Sequence, residues 1–309
     1  MKKRLLGLLV LLFVNAAYGQ TIRYVYETSV NPDSINLVDL KNEITFLDIK
    51  GNKSLFISES KLLKDSLQTA FFKAEEALEN NKSKKRAKED FPKTGMKKIE
   101  PTFFEYFITK DIAEKKVYYY DRVASRQIFY QEDRPLNWKI TNEMETQNGY
   151  PAQKAVVNFG GRMWTAWFTK DINVSDGPYK FAGLPGLIVK LEDDKGDYKF
   201  DLVKKINIPN AFEEQINPNA KQSTRVEFNG DKAALELEFG KNKKSITGNE
   251  RGMMPPGGGR GGGMRGGSGS HPGGGMPPGN MGSDIGSLST GISTSSLLHT
   301  GNQNPIELK

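Results

Sequence analysis

Alternating apolar and polar residues run through most of the chain and predict β-strands. The segment TIRYVYETSV, residues 21–30, sets Tyr24 and Tyr26 among polar or smaller neighbours, as in a half-buried strand. Two further runs, ITFLDI and SLFIS, follow on either side of a turn at Gly51. Between Phe103 and Ile206 the chain is dense in short strand-like runs separated by turns, among them FFEYFIT, KVYYYDRV, RQIFYQ and RMWTAWFT. Such regular spacing, without a helical pattern between the runs, predicts an antiparallel meander.

One segment has a different period. From Ser58 to Asn81 apolar residues recur at intervals of three and four, which predicts a single amphipathic helix. Its apolar face comprises Leu62, Leu63, Leu67, Ala70, Phe71, Ala74 and Leu78. One helix and roughly ten strands predict an α+β fold that is mostly β, with a large curved antiparallel sheet packed on a helix.

The N-terminus has the pattern of a secretory signal peptide. A basic start, Lys2 to Arg4, precedes an apolar run and then Ala17-Tyr18-Gly19, whose small residues suit a signal peptidase. We therefore expect residues 1–19 to be removed and the protein to be exported, to the periplasm or beyond the cell. No later run approaches ~20 apolar residues, so we expect no integral membrane segment in the mature chain.

Composition changes abruptly near the C-terminus. From Thr247 onward Gly, Pro, Met and Ser dominate, and such a segment buries too little apolar surface to offset its ordering entropy. The expected organisation is thus a β-rich domain over 20–246, a disordered tail over 247–303, and a terminal NPIEL segment over 304–309. That last segment is expected to dock back as a strand or to be read by a partner, and the tail to act as a flexible spacer.

The residue types narrow the chemistry. The chain has no cysteine, and its two histidines, His271 and His299, both lie in the predicted tail. The domain therefore lacks disulfides, cysteine nucleophiles and the favoured transition-metal ligands, and we expect no metal or other cofactor. An enzyme remains possible only through groups such as the carboxylates Asp171 or Asp176 acting with Arg162. The net charge of +7 falls to about +4 without the signal peptide and indicates no particular polyanion.

Several weaker features each have a functional and an ordinary reading. The basic run 82–98 could meet an anionic surface or be a solvated connection, and the latter is favoured. Arg-Gly repeats and the GxxG at 183–186 resemble nucleic-acid-binding patterns, but export argues against such a partner. Methionines with His271 in the tail could bind copper, and the acidic turn 192–197 could bind Ca²⁺. Irregular spacing disfavours both metal sites.

An unusual density of glycine and proline lies within DGPYKFAGLPGLIVKLED, residues 176–193. We interpret it as a kinked crossing in which Gly183 and Gly186 allow positive φ or close backbone contact. Phe181 and Leu184 would plug an apolar space beneath it. The motif comprises Gly177, Pro178, Gly183, Leu184, Pro185, Gly186, Leu187 and Ile188. Beyond it, Leu187, Val189 and Leu191 are expected on one face of a strand, with Ile188 and Lys190 on the other.

The strand GRMWTAWF places Arg162 and Trp164 on one face and Trp167 on the other. Two large aromatics on opposite faces favour a strand that is covered on both sides, and an apolar ligand cavity on one face is the alternative. With the crossing, this strand could form a ligand mouth. Its candidate ligand-binding residues are Arg162, Trp164, Trp167, Phe181, Leu184 and Pro185.

These motifs resemble one known family. The hexapeptide at 183–188 and the upstream stretch GYPAQKAVVNFGGRMWTAWFTKDINVSDGP are similar to the GLPGLI family of exported Bacteroidetes proteins. The ending NPIEL at 304–308 is similar to one common in that family, and the resemblance covers roughly 24–206 and the terminus. It implies a half-barrel-like sheet related to periplasmic lipoprotein carriers, and it implies no established activity.

We therefore expect a non-enzymatic envelope protein that binds an apolar ligand at the crossing and its neighbouring aromatic strand. Two alternatives stay open. One is a partner-binding module of an outer-membrane receptor or assembly, with the tail and NPIEL as the contact. The other is a carboxylate-dependent enzyme, for which a pocket carboxylate of strongly raised pKa would be the sign.

Overall fold

The structure is a computed structural model that describes residues 20–33, 40–80, 100–123, 126–209, 216–248 and 304–308. The predicted signal peptide, the basic run and the predicted tail beyond Gly248 lie outside these residues. None of the helices in the described ranges is long and apolar enough to span a membrane. The chain divides into two units, one of residues 1–239 and 302–309, the other of residues 240–301.

Twelve strands and two helices form the described part of the chain. The strands are β1 Thr21–Val30, β2 Lys41–Lys50, β3 Lys53–Ser58, β4 Phe107–Asp111, β5 Lys116–Val123, β6 Arg126–Gln131, β7 Lys139–Gln147, β8 Tyr150–Phe159, β9 Arg162–Thr169, β10 Leu187–Asp193, β11 Tyr198–Ile208 and β12 Lys221–Gln222. The helices are α1 Glu59–Asn80 and α2 Phe228–Gly248.

All twelve strands belong to one sheet, in the order β12-β6-β5-β4-β3-β2-β1-β11-β10-β9-β8-β7. The mostly β fold with a large curved antiparallel sheet is thus confirmed, apart from β12, which pairs with β6 in parallel. β1 lies between β2 and β11 and pairs antiparallel with both. Two meanders, β2–β6 and β7–β11, therefore flank the first strand of the chain.

The two faces of the sheet have different coverings. We call the face that carries Tyr26, Leu47 and Phe56 the inner face, where the largest apolar cluster lies. The outer face carries Phe46 and Ile57, against which Leu62 of α1 packs. Because strand side chains alternate between faces, the residues of β2 and β3 serve both clusters in turn.

Helix α1 begins where the sequence predicts, because the Ser58 side chain caps it. The amide of Lys61 donates a 3.0 Å hydrogen bond to Ser58 Oγ, which satisfies a free N–H of the first turn. The predicted apolar face is wrong at three of its described positions, since Leu63, Leu67 and Ala70 are exposed. The buried polar pair on this helix is Lys61 and Asp65, whose charged atoms are 2.5 Å apart.

The second helix, α2, was expected only as an ordered segment, and the prediction of a single helix is wrong. Phe228 and Leu235 of α2 pack with Val123, Ile128 and Tyr130. The apolar residues of this segment are irregularly spaced, so its sequence has no clear apolar face of a helix. Packing of Phe228 and Leu235 against β5 and β6 therefore stabilises the helix.

Strand β10 contains a bulge that changes which side chains face inward. Ile188 pairs with Phe168 and Lys190 with Trp167, so Val189 is an extra residue in the ladder. Cross-strand partners share a face. Leu187 therefore faces away from Leu191, and the expectation that they share a face is wrong. Ile188 joins Leu191 on the inner face.

The segment between β9 and β10, residues 170–186, crosses the inner face and is called the crossing. Gly183 and Gly186 have φ values of 92° and 153°, so the predicted positive φ at both positions is confirmed. A Cβ at Gly186 would lie 2.0 Å from the carbonyl oxygen of Thr169, whereas one at Gly183 would meet nothing within 4 Å. Gly186 alone of this pair is required by contact as well as by conformation.

Candidate functional site

The crossing is held to the sheet by a buried ion pair. Lys110 Nζ lies 2.5 Å from Asp176 Oδ1 and donates a 2.6 Å hydrogen bond to the carbonyl oxygen of Gly177. Burial lowers the pKa of Lys110, against the opposing effect of the Asp176 charge. Tyr26 also donates to the Ile188 carbonyl, and Trp138 Nε1 to that of Ala182. The crossing is therefore fixed along its length by polar contacts.

The six predicted ligand-binding residues are distributed over four environments. Trp164 and Phe181 have ring centroids 4.8 Å apart in the fully buried core, which also contains Leu184. Trp167 is buried on the opposite face of β9, and Pro185 is exposed. Arg162 lies in a polar cluster described below. The structure brings Trp164, Phe181 and Leu184 together as packed neighbours.

The predicted carboxylates do not meet Arg162. Asp176 is paired with Lys110 and Asp171 is exposed. The acidic turn is not a metal site either, because Asp193 and Asp197 are both bound to Arg162. In the described ranges, no group of three or more His, Cys, Asp or Glu side chains could hold a metal ion.

Residues 304–308, here called the terminal segment, lie against the body of the protein. Asn304 and Ile306 are buried, and the amide of Leu308 donates a 2.6 Å hydrogen bond to the carbonyl oxygen of Gly160. The segment docks with bends at Asn304 and Ile306 and is not a strand of the sheet. Burial of one isoleucine side chain alone stabilises such docking by about 1.5–3 kcal/mol.

The first contact of the terminal segment is the Arg162 cluster, formed by Arg162, Asp193, Asp197, Tyr198 and Asn304. Arg162 Nη1 donates to Asp193 Oδ2 at 2.6 Å and to Asp197 Oδ2 at 2.7 Å. Its Nη2 donates to Asn304 Oδ1 and to the Pro305 carbonyl oxygen. Tyr198 donates to the Asn304 carbonyl at 2.6 Å. Asn304 is thereby bound through both its backbone and its side chain.

Burial acts against the charges of this cluster, but their mutual contacts dominate. Burial would raise the pKa of Asp197, yet hydrogen bonds from Arg162, Asn304 and Asn31 lower it. Burial would likewise lower the pKa of Arg162, which its two aspartates raise instead. Arg162 and Asp197 therefore stay ionised near neutral pH.

The second contact is the Lys180 cluster, formed by Lys180, Glu132, Arg134, Tyr179 and Glu307. Lys180 Nζ is almost fully buried and lies 2.6 Å from Glu132 Oε2 and 2.5 Å from Glu307 Oε1. Arg134 donates two hydrogen bonds to Glu132 and one to Glu307. Tyr179 donates to the same Glu307 carboxylate. Three donors thus converge on the side chain of one residue of the terminal segment.

Aromatic rings surround the ammonium group of this cluster. Lys180 Nζ lies 4.9 Å from the ring centroid of Tyr130 and 5.3 Å from that of Tyr119, within the range of cation–π attraction. Tyr179 has φ 54°, a left-handed conformation that costs a non-glycine residue about 1–2 kcal/mol. Strain at a residue that binds Glu307 is the kind of cost that a binding site retains.

The charges of the Lys180 cluster favour ionised carboxylates. Burial would raise the pKa of Glu132, but Arg134 and Lys180 lower it to about 2. Burial would lower the pKa of Lys180, while the charges of Glu307 and Glu132 raise it. Without Glu307 the cluster has two cations and one carboxylate, so the terminal segment supplies the charge that balances it.

A pocket of about 290 Å³ lies beside the docked terminal segment and is called the tyrosine pocket. Pro305, Ile306 and Glu307 form one of its sides. Its other sides come from the inner face and α2, and comprise Tyr106, Tyr119, Asp121, Tyr130, Tyr179, Arg225, Phe228, Asn229 and Lys232. None of the six predicted ligand-binding residues lines it.

The sequence indicated the terminal segment but not the residues that receive it. Glu132, Arg134 and Lys180 are charged residues in loops, where a sequence predicts solvent exposure. The available signal was indirect: an NPIEL ending after a long spacer implied a receptor surface somewhere. Nothing local to Lys180 marks it as buried.

Comparison with known proteins gives limited similarity. Residues 63–190, less than half of the chain, match the model of a family described as a protein of unknown function, Porph_ging. No curated protein matches the sequence.

Two solved structures of PNGF-II are similar in fold. The one in space group P21 is 16% identical, with a TM-score of 0.46, over 68% of this chain and 32% of that chain. The one in space group C2 is 14% identical, with a TM-score of 0.48, over 70% and 33%. This chain therefore spans about a third of the length of these PNGF-II structures.

Proposed function

We propose that the protein is a non-enzymatic partner-binding module of the cell envelope, whose site takes a short polypeptide segment of the type Asn-Pro-Ile-Glu. Its own residues 304–308 occupy that site when no partner is bound. The signal-peptide pattern and the GLPGLI-type motifs support an exported protein, periplasmic or secreted. The partner would be an envelope protein that carries a segment of the same chemistry.

The observation that carries this proposal is the convergence of buried donors on Glu307. Lys180, Arg134 and Tyr179 all bind its side-chain carboxylate. Such a carboxylate would be equally well solvated by water, so its burial among three donors indicates a specific contact. Charged groups are buried only where they are paired, so the body retains a cationic site that is complete only with a bound carboxylate.

A second support is that the four successive residues 304–307 are each bound by a different kind of contact. Asn304 is bound through its side chain and its carbonyl, and Pro305 through its carbonyl. Ile306 is buried in the apolar cluster, and Glu307 is bound by charge. Polar and apolar pockets for individual side chains are typical of the recognition of peptide segments.

The site could be occupied either by the chain's own terminal segment or by a segment of another protein. Between Gly248 and Asn304 the chain has 55 residues, which at full extension would reach roughly 180 Å. A tether of this kind presents its end at an effective concentration of at most about 1 mM. A partner segment must therefore bind tightly, or be locally abundant, to displace it.

An apolar ligand has less support in this geometry. Trp164 and Phe181 pack against each other in a buried cluster that also contains Leu184. The pocket beside the terminal segment carries tyrosine hydroxyls and charged groups. These features favour a polypeptide with polar side chains over a lipid-like ligand.

The experiment uses a labelled peptide of residues 301–309 and two forms of the protein, the full mature chain and a chain that ends at Gln303. The shortened chain should bind the peptide in a 1:1 complex, and the full chain more weakly, because its own segment competes. A peptide with Glu307→Gln should bind about 10- to 150-fold more weakly, the loss of hydrogen bonds to a charged group. Fluorescence anisotropy measures each affinity.

The proposal fails if the shortened chain unfolds cooperatively with native circular dichroism and shows no saturable binding up to 1 mM peptide. Should the shortened chain not fold, the full-length variant Glu307→Gln gives a second route. It should bind the added wild-type peptide more tightly than the wild-type chain does, and equal binding by the two chains would also contradict the proposal.

A further inference from the structure

The tyrosine pocket offers a binding surface that the docked terminal segment does not use. Its floor is a continuous set of rings on the inner face. The centroids of Tyr106 and Tyr119 are 4.5 Å apart, and those of Tyr119 and Tyr130 are 5.1 Å apart. Phe228 of α2 meets Tyr130 edge-on at 4.9 Å. Because these rings cover much of one another's faces, a molecule that enters the pocket meets chiefly their edges and hydroxyl groups.

Two hydroxyl groups on this floor are available to a ligand. Tyr130 and Tyr179 use their hydroxyls within the Lys180 cluster. Tyr106 and Tyr119 line the same pocket, and among the residues that the structure describes, neither hydroxyl has a hydrogen-bond partner. Burial raises the pKa of both tyrosines well above the usual value, so both hydroxyls remain protonated and can donate as well as accept.

The charged groups around the pocket are neutralised by protein partners. Lys232 Nζ lies 2.6 Å from Asp121 Oδ2, and Arg225 Nε lies 2.9 Å from Asp133 Oδ1. Glu307 is bound by Lys180 and Arg134. A charged ligand would need to break one of these pairs, whereas a neutral one can use their remaining hydrogen-bonding capacity.

We propose that the tyrosine pocket binds one neutral ring that carries several hydroxyl groups, the chemistry of a single sugar residue. A pocket of about 290 Å³ is near the lower end for small-molecule sites. It holds roughly ten water-sized groups at about 30 Å³ each, which suits one substituted six-membered ring and not a lipid chain. The C–H groups of the ligand would contact the tyrosine ring edges, and its hydroxyls would pair with Tyr106, Tyr119 and the polar rim.

Such a ligand would be coupled to the terminal segment. Pro305, Ile306 and Glu307 form one wall of the pocket, so the bound ring contacts the docked segment directly. By linkage, a ligand that binds only when this wall is present also stabilises the docked segment by the same factor. The inference requires the docked terminal segment but does not require that a partner segment can replace it.

The test uses the full mature chain and four neutral sugars, D-glucose, D-galactose, D-mannose and N-acetyl-D-glucosamine, each up to 50 mM. Saturation-transfer NMR and titration should detect saturable 1:1 binding of at least one of them. The double variant Tyr106→Phe/Tyr119→Phe keeps both rings and removes both hydroxyls, and it should weaken the best sugar at least tenfold. Tyr118→Phe, on the outer face, is the matched control and should leave the affinity unchanged.

Three outcomes would overturn the inference. One is the absence of saturable binding for all four sugars. Another is binding that the double variant leaves intact, since the sugar would then lie elsewhere. The third is cyclohexanol, a ring of the same size with one hydroxyl, binding as tightly as the best sugar and equally well to the double variant. That result would assign the pocket to an apolar ring.

Discussion

The two clusters that hold the terminal segment differ in what they would be without it. The Arg162 cluster already contains a cation and two carboxylates from the body, and the segment adds neutral groups, Asn304 and the Pro305 carbonyl. The Lys180 cluster has an excess positive charge until Glu307 arrives. One cluster is therefore part of the core and the other is a receptor.

This difference separates structural from recognition roles among residues that look alike. Arg162 and Lys180 are both buried cations paired with carboxylates. Loss of Arg162 would leave two body carboxylates unpaired, whereas loss of Glu307 would leave the body with an unmet cation. Variants of the Arg162 cluster and of the Lys180 cluster should thus differ in whether their effect depends on the terminal segment.

The largest effect is expected from Arg162→Ala. The free energy of unfolding should fall by about 3–5 kcal/mol, because Asp193 and Asp197 stay buried without their cation. Urea unfolding should show a loss of this size in a chain ending at Gln303, and a larger one in the full chain, where Arg162 also binds Asn304 and the Pro305 carbonyl. Arg126→Ala, at an exposed pair with Glu238, is the control and should change stability by less than about 0.5 kcal/mol. A loss confined to the full chain would contradict the core role of Arg162.

Next in size is Gly186→Ala, which disturbs the crossing that carries Lys180. Left-handed strain of about 1–2 kcal/mol adds to overpacking against Thr169, so we expect a loss of about 3 kcal/mol in the free energy of unfolding. Gly183→Ala meets open space and should cost about 1–2 kcal/mol. Thermal unfolding of both variants measures the difference, and equal losses would disprove the role given to the Thr169 contact.

A smaller effect is expected from Glu307→Gln, which should act on the terminal segment alone. Loss of the charge-assisted hydrogen bonds should weaken docking by about 1.5–3 kcal/mol. Hydrogen exchange of the Leu308 amide, which donates to the Gly160 carbonyl, should then accelerate by the corresponding factor. Glu238→Gln, at an exposed carboxylate, should leave that exchange unchanged. An unaltered Leu308 exchange rate in Glu307→Gln would mean that other contacts hold the segment.

The smallest effect concerns pH. The folded pKa of Glu132 is about 2, below the usual 4.5, so the unfolded chain binds the proton first as pH falls. The contribution is fully present above pH 4.5 and is lost as pH falls from 4.5 toward 2, by about 1 kcal/mol at pH 3.5. Chemical unfolding at pH 7, 4.5 and 3.5 tests this, with Glu132→Gln as the variant that should lack this component of the decline. An identical decline in the variant would assign the acid sensitivity to other carboxylates.

Much of the sheet could be predicted because its strands alternate cleanly and end at turns. The runs KVYYYDRV, RQIFYQ and RMWTAWFT coincide with β5, β6 and β9 to the residue. FFEYFIT did not, since β4 begins only at Phe107. The preceding loop is fixed instead by Glu43, which accepts hydrogen bonds from Thr102 and the Phe103 amide. A contact with another strand decided that boundary, and no local pattern records it.

The receptor for the terminal segment could not be predicted for a related reason. Lys180 and Glu307 are 127 residues apart in sequence, and the burial of each depends on the other. The β10 bulge at Val189 is equally non-local, because its register is set by β9. The hydrophobic periodicity of a segment shows which side of that one element faces solvent. The Lys180–Glu307 contact and the β10 bulge instead arise from pairs of elements that meet only in the folded chain.

The central position of β1 has a consequence for how the protein is made. Among the described strands it is synthesised first, yet its Thr21 pairs with Ile208 of β11, the last long strand in sequence. Hairpins within β2–β6 and within β7–β11 close short loops and can form as the chain emerges. The β1–β11 pairing closes almost the whole domain and carries the entropic cost of a long loop. We expect this last seam to limit the folding rate, and an edge of β1 to stay open to chaperones until residue 208 is synthesised.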